Sequence, residues 1–439
     1  MEVLLRLIIG KERKNQERQD MLWNMIGSFL YAFASMLLTI AVVSIAGEDA
    51  GGVFTFAFTT FGQHMFMVAY FGIRPFQITD TAGKYSFGDY FGLRLMTCAF
   101  AVAFGAVYIL LHDYSKEKAA VIFFMVLYKV IDALADTYEA EFQRGGRLYL
   151  TGKSNAFRTI LSVAVFLTVL SGTGGRLVTA GAAAVSAQAA GFFLFDVLVL
   201  RALPDVERSS KKGRKWMLFK DNTLLFFSVI LDFYIFSASK YAIEGCMADR
   251  DMAVYGAIFM PTSVINLVAG FVIRPYLTKL SFVWEMGKPE RFTRLILRLA
   301  AVIGALTVLA VGGAWFLGIP VLGLLYSNLR YALHSCRVAL TLIIAGGAFN
   351  ALMNLFYYSL IIMKKQRLVF AGYGLVGILA VLISGPFVQA WGILGGALAY
   401  GILMAALAAV FGLAVFFFIA EKRRYPDGLA NEQRREIVS

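Results

Sequence analysis

The sequence predicts an all-α, polytopic membrane protein: about twelve transmembrane helices in two six-helix lobes, with both termini inside. Three observations carry that expectation. The chain of 439 residues is 59% hydrophobic and only 16% charged, whereas soluble globular chains are near half apolar and a quarter charged. Its apolar residues fall in blocks of about twenty, the length a helix needs to cross a hydrocarbon core. Its lysines and arginines are dense in every second inter-block segment and sparse in those between. Such a composition excludes a soluble enzyme, a disordered chain and a secreted disulfide scaffold. Cys98, Cys246 and Cys336 are scattered and lack any C-x-x-C spacing, so they indicate neither a disulfide framework nor a zinc site.

Residues 1–20 place a short apolar run before a charged one, the reverse of a cleaved signal peptide, and read as an amphipathic cytoplasmic arm. Blocks able to span follow at 21–46, 53–73, 91–112, 119–138, 156–173 and 177–200, and again at 222–244, 252–273, 293–317, 337–362, 368–387 and 391–420. In lipid every backbone polar group needs an internal partner, so blocks of this length are helices. With the amino terminus inside, 33 of the 41 basic residues fall on inner segments, 7 on outer ones, and Lys129 within a span. That asymmetry sets the orientation. The most basic interruption, 201–221, reads as a cytoplasmic linker between an amino-terminal lobe at 21–200 and a carboxy-terminal lobe at 222–420, with a cytoplasmic tail at 421–439. The lobes repeat a motif. Phe71-Gly72-Ile73-Arg74-Pro75-Phe76 ends the second block and Phe271-Val272-Ile273-Arg274-Pro275-Tyr276 ends the eighth. An internal duplication of this kind is the usual build of a two-lobed transporter.

Polar groups within spans are costly and need a reason. Asn24, Ser28, Tyr31 and Ser35 share one face of the first span, and Ser228, Asp232 and Ser239, with Lys240 beside them, mark the seventh. A polar cavity between the lobes would gather these with Thr60, Gln63 and His64 of the second span and Thr262 and Asn266 of the eighth. The small hydroxyls equally suit hydrogen bonding between packed helices. Lys129, Asp132 and Asp136 stand three and four apart on the fourth span, so Lys129 and Asp132 either neutralise each other or line a substrate site. Arg94, Asp196, Arg201, Arg294 and Arg298 lie near the inner interface, where snorkelling to headgroups accounts for them. Arg74 and Arg274, at matching points of the repeat, either clamp an anionic head group such as a pyrophosphate or anchor the inner face. Pro261, Pro275 and Gly346-Gly347 are candidate bends. No P-loop, dinucleotide fingerprint or histidine pair at metal spacing occurs. The reading is therefore of a non-enzyme without a cofactor, coupled if at all to H+ or Na+, and without nucleic acid as partner.

Several stretches resemble a known family. FGIRPFQITDTAGKYSFGDYFGLRLMT (71–97) is similar to the R-x-[FY]-Q-x-[ST]-D…K-Y-x-F-x-x-Y…R segment of bacterial polysaccharide flippases. KVIDALADTYEAEFQRGGRLYLTGKSNAFR (129–158) places Asp132, Asp136, Gln143, Arg147, Gly152, Lys153 and Arg158 in that family's order. SKYAIEGCMADRDMAVYGAIFMPTSVINLVAGFVIRP (239–275) resembles its seventh-to-eighth helix signature, with Ser239 where Pro is usual; IPVLGLLY (319–326) and MKKQR (363–367) fit as well. The resemblance is to the Wzx-like branch of the multidrug/oligosaccharidyl-lipid/polysaccharide (MOP) exporter superfamily, which includes the MATE transporters. It implies two six-helix bundles around a cavity opening alternately to each side. It also implies transport of undecaprenyl-pyrophosphate-linked oligosaccharide to the outer leaflet of the bacterial cytoplasmic membrane for capsule, O-antigen or exopolysaccharide synthesis. Membrane lipid, the lipid-linked oligosaccharide, and a polysaccharide polymerase with chain-length enzymes are the implied partners.

The alternative is an ion-coupled multidrug or cation antiporter of the same fold. Such chemistry usually needs a carboxylate at depth; the span from Met21 to Ala46 has none, while Asp132 and Asp232 keep the alternative open. A polymerase or acyltransferase would be expected to carry a large catalytic outer loop. The longest outer stretch, about 318–336 with Arg330 and His334, is short and mostly apolar.

Overall fold

The computed structural model describes residues 16–80, 83–204, 206–209 and 213–424, with the backbone alone for Leu225 and Arg274. It is 90% helix, and among the described residues there is no strand. Most of the amino-terminal arm and of the tail lies outside the described residues; 16–20 begin the first helix and 421–424 end the last.

The helices of the first half are α1 (Gln16–Ala46), α2 (Glu48–Phe54), α3 (Gly62–Tyr70), α4 (Ile73–Thr79), α5 (Phe87–Leu111), α6 (Lys116–Arg144), α7 (Leu148–Gly172), α8 (Leu177–Gly191) and α9 (Leu198–Arg201). Those of the second are α10 (Arg214–Cys246), α11 (Asp249–Phe259), α12 (Pro261–Ile273), α13 (Leu277–Glu285), α14 (Pro289–Gly313), α15 (Ile319–Leu325), α16 (Arg330–His334), α17 (Arg337–Ile362) and α18 (Gln366–Arg424). Single turns of π-helix at Thr55–Phe61, Phe192–Val197 and Ala314–Gly318 join α2 to α3, α8 to α9 and α14 to α15.

Each of the twelve predicted blocks lies on helix. Among the described residues, nine helical stretches are long and apolar enough to cross a membrane. One of them, α18, runs for 59 residues, but Gly392, the second residue of the twelfth block, breaks it at φ 56°, ψ −132°. The second and fourth blocks fall outside the nine for physical reasons. Thr55, Thr59, Thr60, Gln63 and His64 dilute the second, and α6 carries Lys129, Asp132, Asp136 and Glu139 along its length. Large apolar side chains stand fully outward, such as Leu110 (83% exposed), Val308 (72%), Phe316 (74%) and Leu413 (74%). Surfaces like these are stable against lipid rather than water.

Local sequence places the stops. Ser86 and Asp89 form a reciprocal capping box that starts α5, and Ser115 caps α6 through the Lys118 amide. Between α3 and α4 the chain reverses through Phe71 (φ 51°) and Gly72 (φ 64°), both left-handed. That conformation strains a phenylalanine; the Phe71 ring is held by stacking on Phe219 and Phe226, with centroids 5.1 and 4.0 Å away. The second copy of the motif differs: α12 passes into a single 3-10 turn, Arg274–Tyr276, before α13. Of the expected bends, Pro261 and Pro275 do sit at helix breaks. Gly346-Gly347 does not, because α17 runs through it unbroken; a Cβ on Gly346 would lie 2.7 Å from the Tyr400 ring, so the missing side chain serves packing.

Two packed units result. Unit one comprises residues up to Phe233 with Ala248–Ala253 and Tyr326–Asn328; unit two comprises Tyr234–Met247, Val254–Leu325 and the residues from Leu329 on. The two short segments join unit one through Lys118–Asp249 (2.6 Å) and the Asn328 amide on the Val43 carbonyl (3.0 Å). Within unit one, α1 lies against α7 at the closest backbone approach: a Cβ on Gly152 would stand 2.2 Å from Trp23, and one on Gly27 2.5 Å from the Gly152 carbonyl. The linker docks on the start of α5, where the Phe87 amide donates to the Glu207 carbonyl (3.0 Å) and the Ser86 hydroxyl to that of Ser209.

Candidate functional site

The site grows from one face of α6. Lys129, Asp132, Asp136, Glu139 and Gln143 recur at three- and four-residue steps, so they line up along about 20 Å of helix. Charges on a span are tolerated only when neighbours neutralise them, and the helices of unit one bring those neighbours. From α4, Arg74 donates to Asp136 (2.5 Å) and Gln143 (3.2 Å) and reaches Glu139 (3.5 Å). From α5, Arg94 is fully buried and donates to Asp136 (3.0 Å), the Thr137 hydroxyl (2.6 Å) and the Ala69 carbonyl (2.8 Å). From α7, Arg158 pairs with Glu139 (2.8 Å), Asp196 (2.9 Å) and Asp132 (3.7 Å), and Ser154 donates to Asp196 (2.5 Å). Gln188 of α8 and the Tyr31 hydroxyl of α1 donate to Asp132. Four carboxylates thus meet three guanidiniums and one ammonium, and the network is neutral.

The chain predicts several of these residues in other roles. Arg94 and Asp196 were expected to snorkel; instead both are 0% exposed and ion-paired, because α5 turns Arg94 toward α6 and the π turn after α8 turns Asp196 toward α7 rather than the headgroups. Lys129 and Asp132 were expected to neutralise each other directly. They share Tyr31 instead: Lys129 donates to its hydroxyl (3.2 Å) and lies 4.1 Å from the Phe58 ring centre, while Asp132 is taken by Gln188 and Arg158. Arg74 is engaged by α6, and the side chain of Arg274 lies outside what the structure describes.

The remaining candidates are spread over both units. In unit one Asn24, Gln63, His64 and Asp232 are half-buried, and the His64 ring stands 5.4 Å from that of Phe233. In unit two Asn266 accepts from Asn350 (2.8 Å). Lys240 is buried there at 6% exposed, 4.0 Å from the ring centre of Phe259 and 5.7 Å from that of Phe236, with no acidic partner among the described residues. Arg158, Glu139, Asp196, Gln77 and Gln188 were missed as functional positions. Glu139 lies just past the fourth block, and the signal for it is the continued 3-4 spacing of α6 beyond Tyr138.

Beyond the network, Arg144 on the last turn of α6 bonds the Asp80 carbonyl (3.1 Å) and Glu141 (3.5 Å). A cleft of about 280 Å³ opens there among Ser86, Glu141, Arg144, Arg147 and Glu207. Asp80 itself is partly buried, which works to raise its pKa. The Tyr85 and Lys84 amides, the Tyr90 hydroxyl and Arg144 overcome that and hold it below the ordinary carboxylate value.

No family model and no curated protein matches the sequence. Solved structures do match its fold. An inward-facing multidrug-resistance MATE family transporter of the MOP superfamily aligns at 12% identity over 96% of this chain and 99% of that one, with a TM-score of 0.61. A mutant of the Vibrio cholerae MATE transporter VcmN aligns at 12% identity over 96% and 98%, TM-score 0.59. A MOP superfamily transporter from Pyrococcus furiosus, described as having a binding pocket of reversed polarity that suggests a different function, aligns at 14% identity over 95% and 98%, TM-score 0.54. The fold is that of MATE transporters.

Proposed function

We propose that this chain is a multi-pass transporter of the bacterial cytoplasmic membrane. Its cargo is an undecaprenyl-pyrophosphate-linked oligosaccharide, carried from the inner to the outer leaflet by alternating access. The observation that carries this reading is the charge balance at depth. The four buried carboxylates of the spans of unit one, Asp132, Asp136, Glu139 and Asp196, each have an arginine within ion-pair distance. None is left over for exchanging a proton against a cationic drug. Unit two carries the opposite imbalance, a buried ammonium at Lys240 among aromatic rings. A pyrophosphate cannot cross hydrocarbon unaided, and a desolvated ammonium is a strong partner for it. Capsule, O-antigen or exopolysaccharide synthesis would supply the cargo, and a polysaccharide polymerase with its chain-length enzymes would consume it.

A deletion strain tests the proposal. Labelling of the lipid-linked oligosaccharide from outside should stop when the gene is removed and return with the wild-type gene; labelling at the normal rate without it, in a strain with no second flippase, overturns the reading. The antiporter reading is favoured by one feature, the half-buried Asp232 on α10. It requires that Asp232→Asn abolish transport together with its pH dependence.

A further inference from the structure

The two copies of the internal repeat treat their arginines in opposite ways. In the first, Arg94 is buried against Asp136. Two hundred residues on, Arg294 is exposed on α14, and Arg291 and Arg298 join it at three- and four-residue spacing on the same face. The positions matching those two in the first half are Phe91 and Cys98, so this stripe belongs to the second half alone. Among the described residues none of the three has an acidic partner. The stripe covers about 10 Å along the helix. On the same side it runs straight into Leu297 (53% exposed), Val302 (41%) and Leu309 (71%), side chains of the kind that face lipid. The opposite face, with Phe292, Leu295, Ile296 and Leu299, is the buried one.

The short helix before it has the form of an interfacial element. α13 buries Leu280 and turns Lys279 and Phe282 (60% exposed) outward, as is Met286 (48%) just after it. The corner between the helices is held by Lys422, whose ammonium donates to the Trp284 carbonyl (2.7 Å) and covers its ring at 4.0 Å, and by Arg423 on the Thr293 hydroxyl (3.2 Å). A fixed corner of this kind keeps the three guanidiniums at the level where apolar surface ends.

We infer that Arg291, Arg294 and Arg298, with Lys279 and Phe282 of α13 and Met286 just after it, form a binding site for a resident anionic phospholipid of the inner leaflet. The guanidinium forks take the headgroup phosphate, and the exposed aromatic and thioether side chains lie beside its acyl chains. Charge complementarity selects the occupant: a zwitterionic lipid offers a phosphate already neutralised by its own amine.

Native mass spectrometry of the full-length protein, equilibrated with equal amounts of phosphatidylglycerol and phosphatidylcholine of the same acyl composition, tests this. The wild type should retain phosphatidylglycerol preferentially. Each basic residue at an anionic surface contributes about fivefold, so Arg291→Gln should reduce the preference about fivefold. The triple variant Arg291→Gln/Arg294→Gln/Arg298→Gln should remove it. A control with equal loss of charge on another inner loop, Lys364→Gln/Lys365→Gln/Arg367→Gln, should keep it. Equal retention of the two lipids by the wild type overturns the inference. So does a control that loses as much as the triple variant, since the preference would then come from net charge. Because Arg291 is exposed and has no acidic partner among the described residues, its single variant gives a folded protein on which the inference still stands or falls.

Discussion

Arg158 is the residue on which the first unit's charge network turns, since among the described residues it alone touches three carboxylates on two elements. Removing one partner of a buried pair costs about 3–5 kcal/mol, because a charge is left without compensation. Arg158→Ala should therefore cut the level of folded protein in the membrane. Replacing Arg94 and Asp136 together by leucine should cost less than Arg94→Leu alone, unless Arg74 alone suffices for Asp136; thermal unfolding in detergent compares the three. Lys240 calls for the opposite expectation. It has no acidic partner among the described residues to strand, so Lys240→Met should leave membrane level and melting temperature near wild type. It should nevertheless lower transport about tenfold or more, the worth of a charged hydrogen bond. Undiminished transport by Lys240→Met would remove this lysine from the cargo path. The sequence made Lys129, Asp132 and Lys240 conspicuous because charge within a span is rare. It could not show the partners of the first two, since Tyr31, Arg158 and Gln188 come from other helices.

At the scale of elements, α1 and α7 meet where neither has a side chain. Gly152→Leu places a branched side chain where even a Cβ lies 2.2 Å from the Trp23 backbone, so the helices must separate. Loss of folded protein is expected, whereas Gly172→Leu, at a position open for at least 4 Å around, should be tolerated; protease resistance in membranes measures both. The turn after α4 has a different sensitivity. A carboxylate whose pKa is lowered by folding contributes stability above its unfolded value, near 4, and loses it as pH falls through the lower folded value. The melting temperature of the wild type should thus drop on acidification below about pH 4 more steeply than that of Asp80→Asn; parallel curves would show that Asp80 contributes nothing to the turn. Helix existence was legible from block length alone. Helix interruptions were not, because the π turn at Thr55–Phe61 carries no proline or glycine, and the break in α18 hangs on Gly392, one glycine among many. The helix of the fourth block was legible despite its charges because its apolar residues still fill the other faces, as the buried Val126, Val130 and Ala133 attest.

For the whole molecule, the net charge of +13 is divided by place rather than concentrated in a site. Most of it lies on the segments the sequence reads as inner, where positive charge would orient the helices. Part of it is cancelled inside unit one, and part is left bare on α14. On the proposed reading, what would separate a lipid-linked oligosaccharide carrier from a drug antiporter on this fold is the few charges at depth that stay unbalanced, among them Lys240, which has no acidic partner among the described residues. The all-helical build could be read in the sequence because it rests on a pattern summed over many residues. The balance of charge at depth could not, because it depends on which helix faces which. Proteoliposomes holding the purified protein and a pyrophosphate-linked oligosaccharide lipid test the central claim most directly. An impermeant reagent that modifies glycans from outside should consume all of the substrate over time, while protein-free vesicles stop at their outer-leaflet share. A plateau at the protein-free level, with the protein shown to be folded and inserted, would contradict the account.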